Sequence, residues 1–174
     1  IGGEFERAVV RPDGSPVFYD DDDGIRWILE QIRSRQEGWK GLYEGADLIA
    51  LVRPNAANVT LEPGGQVELS GKPHTSLAAV RDEARLFHDL VQEAAGDSWA
   101  QLGLGYTPFA SLDDIQWVPK GRYGIMREHL SRTGTLAHNM MKGTCATQAS
   151  FDFSDEEDCA RKVALVAAIA PIVL

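Results

Sequence analysis

Cysteine is scarce in this sequence of 174 residues, which contains only Cys145 and Cys159. Neither belongs to a Cys-x-x-Cys motif or lies at a Cys/His spacing typical of zinc. The count disfavours a disulfide-stabilised scaffold, and we interpret both residues as free thiols in a reducing cytosol, which predicts a cytoplasmic protein. No histidine lies at a spacing that would activate Cys145, so we expect a buried, inert thiol. The four scattered histidines suggest no catalytic role.

Long apolar runs and an excess of basic residues are also missing. No apolar stretch reaches the roughly 18 residues that a membrane span needs, and no basic segment followed by an apolar one opens the chain as in a secretory signal. The 17 Lys and Arg residues face 26 Asp and Glu residues, giving a net charge of −9. Binding to a phosphate backbone relies on an excess of Lys and Arg. We therefore expect neither a membrane nor a nucleic-acid partner.

The sequence does contain enough apolar residues, 44%, to build the core of one domain. Periodicity of two predicts strands, and helical spacing of apolar residues predicts helices between pairs of strands. This order indicates an α+β fold, in which an antiparallel or mixed sheet carries helices on one face. The predicted strands are 2–10, 38–45, 48–52, 58–62, 66–70, 102–106 and 147–153. The predicted helices are 25–37, 75–96, 122–130 and 154–171, the last with a Ser154…Glu157 capping box.

The two ends of the chain are unlike ordinary termini. It starts on Ile1 rather than Met, and it closes on the apolar run ALVAAIAPIVL (164–174). Because termini are usually polar and exposed, we expect this sequence to be a fragment of a longer chain.

The stretch LEPGGQVELSG (61–71) combines a Pro-Gly-Gly turn with a strand whose two faces differ. Val67 and Leu69 alternate onto a face that suits a core. Gln66 and Glu68 fall on the opposite face. This polar face needs an explanation other than packing.

Four glutamates lie on predicted strands or at their edges: Glu4, Glu6, Glu62 and Glu68. Glu4 and Glu6 share one face of the first strand, about 7 Å apart by the rise of a strand. Carboxylates that converge suit Mg²⁺, which prefers carboxylates together with substrate phosphates. The alternative is that each glutamate is a solvated strand residue, which is the ordinary situation for one glutamate taken alone.

A second polar cluster, VPKGRYGIM (118–126), places two cations on either side of a glycine. Arg122 can hold a carboxylate with two parallel hydrogen bonds. The alternative is a surface turn in which Lys120 and Arg122 are solvated. Further along, GTCATQASFDF (143–153) offers Thr147 as a hydrogen-bonding residue at the entry to a strand, which alone is a weak signal.

Taken in order, these stretches resemble the plant and proteobacterial type of glutamate–cysteine ligase (γ-glutamylcysteine synthetase). IGGEFER resembles the opening strand of that family. The family's later blocks resemble GWKGLYEG, LEPGGQVELSG and PKGRYGIMREHLSRTGTLAHNMMKGTCATQASFDFSDEEDCARKV. The resemblance covers essentially the whole chain.

This resemblance implies an ATP- and Mg²⁺-dependent carboxylate–amine ligase with a fold like that of glutamine synthetase. In that family ATP phosphorylates the γ-carboxylate of glutamate, and the amine of cysteine then displaces phosphate, in the first step of glutathione synthesis. The implied partners are the small molecules glutamate, cysteine and ATP, and a homodimer stays open. Residues 1–174 would be the N-terminal part of the catalytic domain, without a second domain.

The resemblance also assigns roles to individual residues. Four acids take the family's positions around the metal and the nucleotide phosphates: Glu4, Glu6, Glu62 and Glu68. Arg122 takes the position that holds glutamate, and Arg122 and Glu68 are the implied catalytic residues. Gln66 and Thr147 are weaker substrate contacts, and Lys120 is the implied nucleotide contact.

Several motif positions depart from the family's pattern. Gly3 and Phe5 replace the usual Thr and His, and Ala146 and Ser150 stand where Thr or Ser and Asn are common. Two alternatives therefore remain. One is a related ligase with another amine acceptor, and the other is a non-catalytic relative that binds a metal or an amino acid.

Overall fold

Antiparallel pairing joins the strands into one sheet in the computed structural model, which describes residues 1–54 and 56–173. The elements along the chain are β1 (Gly2–Val10), α1 (Ile25–Arg35), β2 (Lys40–Glu44), β3 (Asp47–Val52), β4 (Asn58–Leu61), β5 (Val67–Ser70), α2 (Leu77–Ala95), β6 (Ala100–Leu102), α3 (Gly121–Thr133), α4 (Ala137–Gly143), β7 (Thr147–Ser150) and α5 (Glu156–Val173).

The seven-stranded sheet has the order β2-β3-β4-β5-β1-β6, and β7 also pairs with β1. The pairings β2–β3 and β4–β5 are the two predicted hairpins. The first strand of the chain lies in the interior of the sheet, because β5 pairs with it along one edge while β7 and β6 share the other. The antiparallel α+β prediction is confirmed.

Helices α1 and α2 cover one face of the sheet, as predicted. α1 buries Ile25, Ile28, Leu29 and Ile32, which recur at helical spacing. α2 contributes the buried residues Phe87, Val91 and Ala94 to the same core, which β4 and β5 complete with Val59, Leu61, Val67 and Leu69. Leu77, at the start of the predicted apolar stripe, is instead 71% exposed.

Helices α3 and α4 lie at one end of the sheet, beside the turn between β4 and β5. Val118, just before α3, donates its backbone N–H to the carbonyl oxygen of Pro63 (2.9 Å). The side chain of Gln66 donates to the carbonyl oxygens of Met141 in α4 and of Thr144. The Pro-Gly-Gly turn is therefore packed between two helices.

The structure differs from the sequence-based elements at β6, at β7, at α4 and at the start of α5. β6 ends at Leu102, where the predicted strand was to begin, and β7 ends at Ser150 rather than at residue 153. The seven-residue helix α4 was not predicted. α5 is capped by Asp155 rather than Ser154, since the backbone N–H of Asp158 donates to Asp155 Oδ1 (2.8 Å).

Helix α5 exposes apolar side chains, among them Val163, Leu165, Val166 and Ile169. None of its described residues is buried. Leu174, the last residue of the apolar run, lies outside the described residues. Across residues 1–54 and 56–173, no helix has both the length and the apolar composition that crossing a membrane would demand.

Candidate active site

The sheet face opposite α1 and α2 gathers polar side chains from four strands. Strand alternation alone explains this, since Thr60 pairs with Glu68 and Glu68 pairs with Glu6 in one row across β4, β5 and β1. The next row along the strands contains Asn58, Ser70, Glu4 and Gln148. We call this surface the polar face.

Glu68 lies at the centre of the polar face and is only 7% exposed. One carboxylate oxygen accepts a hydrogen bond from the hydroxyl of Thr60 and the other from the hydroxyl of Ser70, both at 2.8 Å. These two donors fix the orientation of a carboxylate that the fold would otherwise bury without partners.

Glu6 is equally buried and is held from the other side by β7. Its Oε2 atom accepts the backbone N–H of Ala146 (2.7 Å), and its Oε1 atom accepts from Gln148 Nε2 (3.3 Å). Burial raises the pKa of Glu6, and the neighbouring charges of Glu68 and Glu4 add to that rise. The two hydrogen bonds act in the opposite direction but do not cancel it.

Glu62 begins the turn between β4 and β5, and its carboxyl group lies near those of Glu68 and Glu6. Burial raises the pKa of Glu62 to about 7, and the neighbouring carboxyl group of Glu68 adds to that rise. Neighbouring negative charges disfavour the ionised form of Glu62, and a cation would relieve this repulsion.

Cationic and phenolic groups flank the acid pair at the start of α3. Lys120 Nζ and the Tyr123 hydroxyl both donate to the carbonyl oxygen of Leu61, at 2.5 and 2.6 Å. Arg122 Nη2 donates to the same hydroxyl (3.1 Å). Burial lowers the pKa of Lys120 to about 8, and the nearby Arg122 lowers it further, against the opposing attraction of Glu62. Arg122 itself is exposed and open to a ligand.

Gln66 was predicted to contact substrate, and the structure places its side chain among backbone groups instead. It is 4% exposed. Its Oε1 atom accepts from the N–H of Gly64 (2.9 Å), and its Nε2 atom donates to the carbonyl oxygens of Met141 (3.3 Å) and Thr144 (2.7 Å). This geometry favours a positioning residue that joins the turn to the segment carrying Ala146. Its direct contact with substrate stays a prediction.

Thr147 lies on the face opposite the acids. It pairs with Phe5, whereas its neighbour Gln148 pairs with Glu4. Gln148 therefore reaches the polar face, and its amide contacts Glu6. The role of Thr147 as a substrate contact stays a prediction, but Gln148 is better placed for one.

The residues present fit a magnesium ion held with the help of substrate phosphates. Within the part of the chain that the structure describes, no three Asp, Glu, His or Cys side chains converge closely enough to hold an ion by themselves. Mg²⁺ commonly uses one or two carboxylates and completes its shell with phosphate oxygens and water. The neighbouring carboxyl groups of Glu62 and Glu68 offer this donor set, and a divalent cation between them would offset their repulsion.

A family model described as glutamate–cysteine ligase family 2 matches residues 1–174. The chain belongs to this family. It is 37% identical over 175 residues to glutamate–cysteine ligase A, chloroplastic, of Oryza sativa subsp. japonica, covering 99% of this chain and 34% of that protein. It is 39% identical over 162 residues to the chloroplastic glutamate–cysteine ligase of Arabidopsis thaliana, covering 90% and 29%. The match with that of Nicotiana tabacum is 40% over 153 residues, covering 85% and 28%.

The chain spans about a third of the length of these curated relatives. The names of the relatives place those proteins in chloroplasts, and the cytoplasmic location expected for this chain stays a prediction. Family membership confirms the resemblance on which the site residues were assigned. The individual roles of the assigned residues stay predictions that the geometry above makes specific.

The departures from the family's pattern fall on both faces of the sheet. Gly3 and Phe5 lie on the sheet face that α2 covers. A Cβ atom added to Gly3 would lie 2.9 Å from Val80 and 2.7 Å from the ring of Phe5. Ala146 contacts Glu6 through its backbone N–H, which any residue other than proline supplies. Ser150 pairs with Gly2 on the polar face. Ser150 therefore lies on the polar face, next to Gln148 along β7.

Five polar residues near the acids were not assigned from the sequence: Glu44, Thr60, Ser70, Tyr123 and Gln148. Ser70 and Thr60 follow from strand alternation once the register of β4 and β5 is known. Glu44 accepts the backbone N–H of Gly121 (2.5 Å) from a hairpin 77 positions earlier, a contact that no local pattern indicates.

Proposed function

We propose that the complete protein ligates the γ-carboxylate of glutamate to the amine of cysteine at the expense of ATP. The observation that carries the proposal is the closeness of the carboxyl groups of Glu62 and Glu68, with Lys120 and Arg122 beside them, in a chain of the glutamate–cysteine ligase family. ATP and glutamate both bring negative charge, and this site combines cation-binding acids with positively charged side chains.

In the proposed reaction, a γ-carboxylate oxygen of glutamate attacks the γ-phosphorus of ATP, and ADP leaves. The amine of cysteine then attacks the resulting acyl phosphate, forming the amide bond, releasing phosphate and losing a proton. Mg²⁺ bound by Glu62 and Glu68 would neutralise charge on the phosphate oxygens during the first step. Arg122 would hold a carboxylate of glutamate, and Lys120 would contact the nucleotide phosphates.

The buried carboxylates contribute orientation as well as charge. Thr60 and Ser70 fix Glu68, and Ala146 and Gln148 fix Glu6. Because these donors are set before substrate arrives, the acids need no rearrangement during the reaction. We infer that this pre-set geometry is the main contribution of the sheet to catalysis.

The test is phosphate release from ATP by the complete protein, with glutamate and Mg²⁺, in the presence and absence of cysteine. We expect cysteine-dependent release that Glu68→Gln lowers at least 100-fold. Glu30→Gln, an exposed glutamate on α1 behind the sheet, should leave the rate unchanged. Full activity of the Glu68→Gln variant would contradict the proposed role of the acid pair.

A second candidate, a ligase of the same mechanism with another amine acceptor, is favoured by Ser150 on the polar face. It predicts phosphate release that is indifferent to cysteine and stimulated by a different amine. Ser150→Asn should then shift the preference toward cysteine. A complete lack of release with every amine would instead support the non-catalytic alternative.

A further inference from the structure

A pocket lies on the side of the sheet that α1 and α2 cover, opposite the polar face. Its volume is about 290 Å³, and its walls come from the end of α1, the residues around β2, β3 and β4, and the middle of α2. Val59 and Leu69, which line this pocket, pair with each other across β4 and β5. Their sequence neighbours Thr60 and Glu68 point to the opposite face. The pocket is therefore separate from the candidate active site.

One part of the pocket is apolar. Val59 and Leu69 form its sheet side, and Phe87 and Leu90 of α2 close it from the helix side. Three of these residues are buried, and Leu90 is half-buried. A hydrocarbon group bound here would be shielded from water by side chains that already line the pocket.

The other part of the pocket is polar and consists of Trp39 and Arg53. The guanidinium carbon of Arg53 lies 4.0 Å from the centre of the Trp39 ring. Arg53 Nη2 donates to Gln36 Oε1 and to the carbonyl oxygen of Glu37, both at 3.1 Å, which holds the guanidinium over the indole. The stack is thus fixed at the C-terminal end of α1.

Two hydrogen-bond donors in this stack are buried without an acceptor. Trp39 Nε1 and Arg53 Nε have no partner among residues 1–54 and 56–173. Both atoms can only donate, and a buried donor without an acceptor is costly. A ligand that brings acceptor oxygens would satisfy both.

The charges around the pocket favour an anion. Arg53 and Lys72 line it as cations, and Glu83 is the carboxylate on its wall. The Oε2 atom of Glu83 lies 3.0 Å from Nε2 of His74, although this contact lacks the geometry of a hydrogen bond. The two cations outweigh the single acid.

We propose that this pocket binds a small organic carboxylate. Its oxygens accept hydrogen bonds from Trp39 Nε1 and Arg53 Nε, and its hydrocarbon body packs on Val59, Leu69 and Phe87. The volume lies at the lower end of the range for ligand pockets, roughly 300–1,000 Å³, so the ligand is of metabolite size. The proposal does not depend on the reaction at the polar face.

The test is isothermal titration calorimetry of the complete protein with octanoate, and with octan-1-ol as the uncharged analogue of equal chain length. We expect octanoate to bind at least tenfold more tightly than octan-1-ol. Arg53→Gln and Trp39→Phe should each weaken octanoate binding about tenfold, the usual effect of removing one hydrogen bond to a charged group. Ala57→Phe, which fills the pocket from its wall, should abolish binding.

Arg33→Gln is the matched control. Arg33 lies over the ring of Tyr43 at 6.0 Å, in another arginine–aromatic pair that does not line the pocket, so octanoate should bind this variant like the unaltered protein. Circular dichroism checks that each variant folds, and if Trp39→Phe unfolds, the half-buried positions Arg53 and Ala57 decide the question. The proposal is overturned if octanoate does not bind, if octan-1-ol binds equally well, or if Arg53→Gln leaves octanoate affinity unchanged.

Discussion

At the scale of single residues, Gln66 shows how a polar side chain on a functional face can serve the fold. Its amide joins the turn after β4 to the backbone of α4 and the segment that follows. Gln148 lies on the same face but is exposed and contacts Glu6 with one hydrogen bond. The two glutamines therefore form a natural pair for mutation.

We expect Gln66→Leu to lower the free energy of unfolding by about 2 kcal/mol, since it leaves buried carbonyl groups without a donor. Gln148→Leu should change it by less than about 0.5 kcal/mol, as is usual for an exposed position. Urea denaturation of the two variants measures the difference. If Gln66→Leu kept full stability and raised the KM for glutamate, the predicted substrate contact would be correct and the positioning role wrong.

The two thiols should differ in reactivity. Burial raises the pKa of Cys145 to about 11, so at pH 8 it carries about 200-fold less thiolate than an ordinary thiol of pKa near 8.5. Cys159 is half-buried on α5. We expect a disulfide reagent such as dithionitrobenzoate to modify Cys159 faster than Cys145 in the folded chain, and Cys159→Ser to remove this faster phase. Rapid modification that survives in Cys159→Ser would show that Cys145 is accessible.

At the scale of elements, the Pro-Gly-Gly turn connects the strand pair that carries the acids to α4. A Cβ atom added to Gly64 would lie 2.2 Å from the carbonyl oxygen of Lys142, and Gly65 has a φ of +89°. The first glycine permits a close approach of two backbones, and the second adopts a conformation that other residues rarely adopt. The turn therefore needs glycine at both positions to hold Glu62 and Gln66 next to α4.

We expect Gly64→Ala to destabilise the protein by about 2–3 kcal/mol, because backbone atoms must move to admit the methyl group. Gly103→Ala is the control, since nothing lies within 4 Å of a Cβ atom added there. Thermal unfolding compares the two. Equal melting temperatures would mean that α4 does not pack on this turn.

Strand periodicity predicts much of this architecture, because local alternation fixes which residues share a face. The two faces of β5 and the shared face of Glu4 and Glu6 on β1 follow from it, and helical spacing in the same way predicts the apolar stripe on α2. Contacts between distant segments do not. Gln148 rather than Thr147 reaches Glu6 because of the register between β7 and β1, and Glu44 meets Gly121 across a long stretch of chain. The helix α4 is short and carries few apolar residues at helical spacing, so it offered no pattern to detect.

At the scale of the whole molecule, the buried carboxyl groups of Glu62 and Glu6 should make the free energy of unfolding depend on pH. The pKa of Glu62 is about 7 in the folded chain, against an ordinary value of 4.5. Between these values the folded state binds more protons than the unfolded state, so the stability that Glu62 contributes is complete at low pH and is lost as pH rises through about 7. Glu6, whose pKa is also raised, acts in the same direction.

Without divalent cations, we therefore expect the free energy of unfolding to fall between pH 5 and pH 7.5, and Glu62→Gln to reduce this slope. Mg²⁺ should offset the loss at pH 7.5 more than at pH 5, because it competes with protons for the carboxylate of Glu62. Denaturation at the two pH values, with and without Mg²⁺, measures both effects. Glu30→Gln should behave like the unaltered chain, and an unchanged slope in Glu62→Gln would argue against a raised pKa of Glu62 in the folded chain.

The interior position of β1 also determines when this face can form during synthesis. β1 is made before its partners β5, β6 and β7, which follow at residues 67–70, 100–102 and 147–150. Pairings of such long sequence separation form slowly, after the local hairpins of β2 to β5. Glu68 can be oriented by Thr60 and Ser70 early, whereas Glu6 must wait for Ala146 and Gln148 to emerge from the ribosome. Glu68 and Glu6 are thus oriented at different times, and β1, although made before β2 to β7, acquires its last neighbour only when β7 is made.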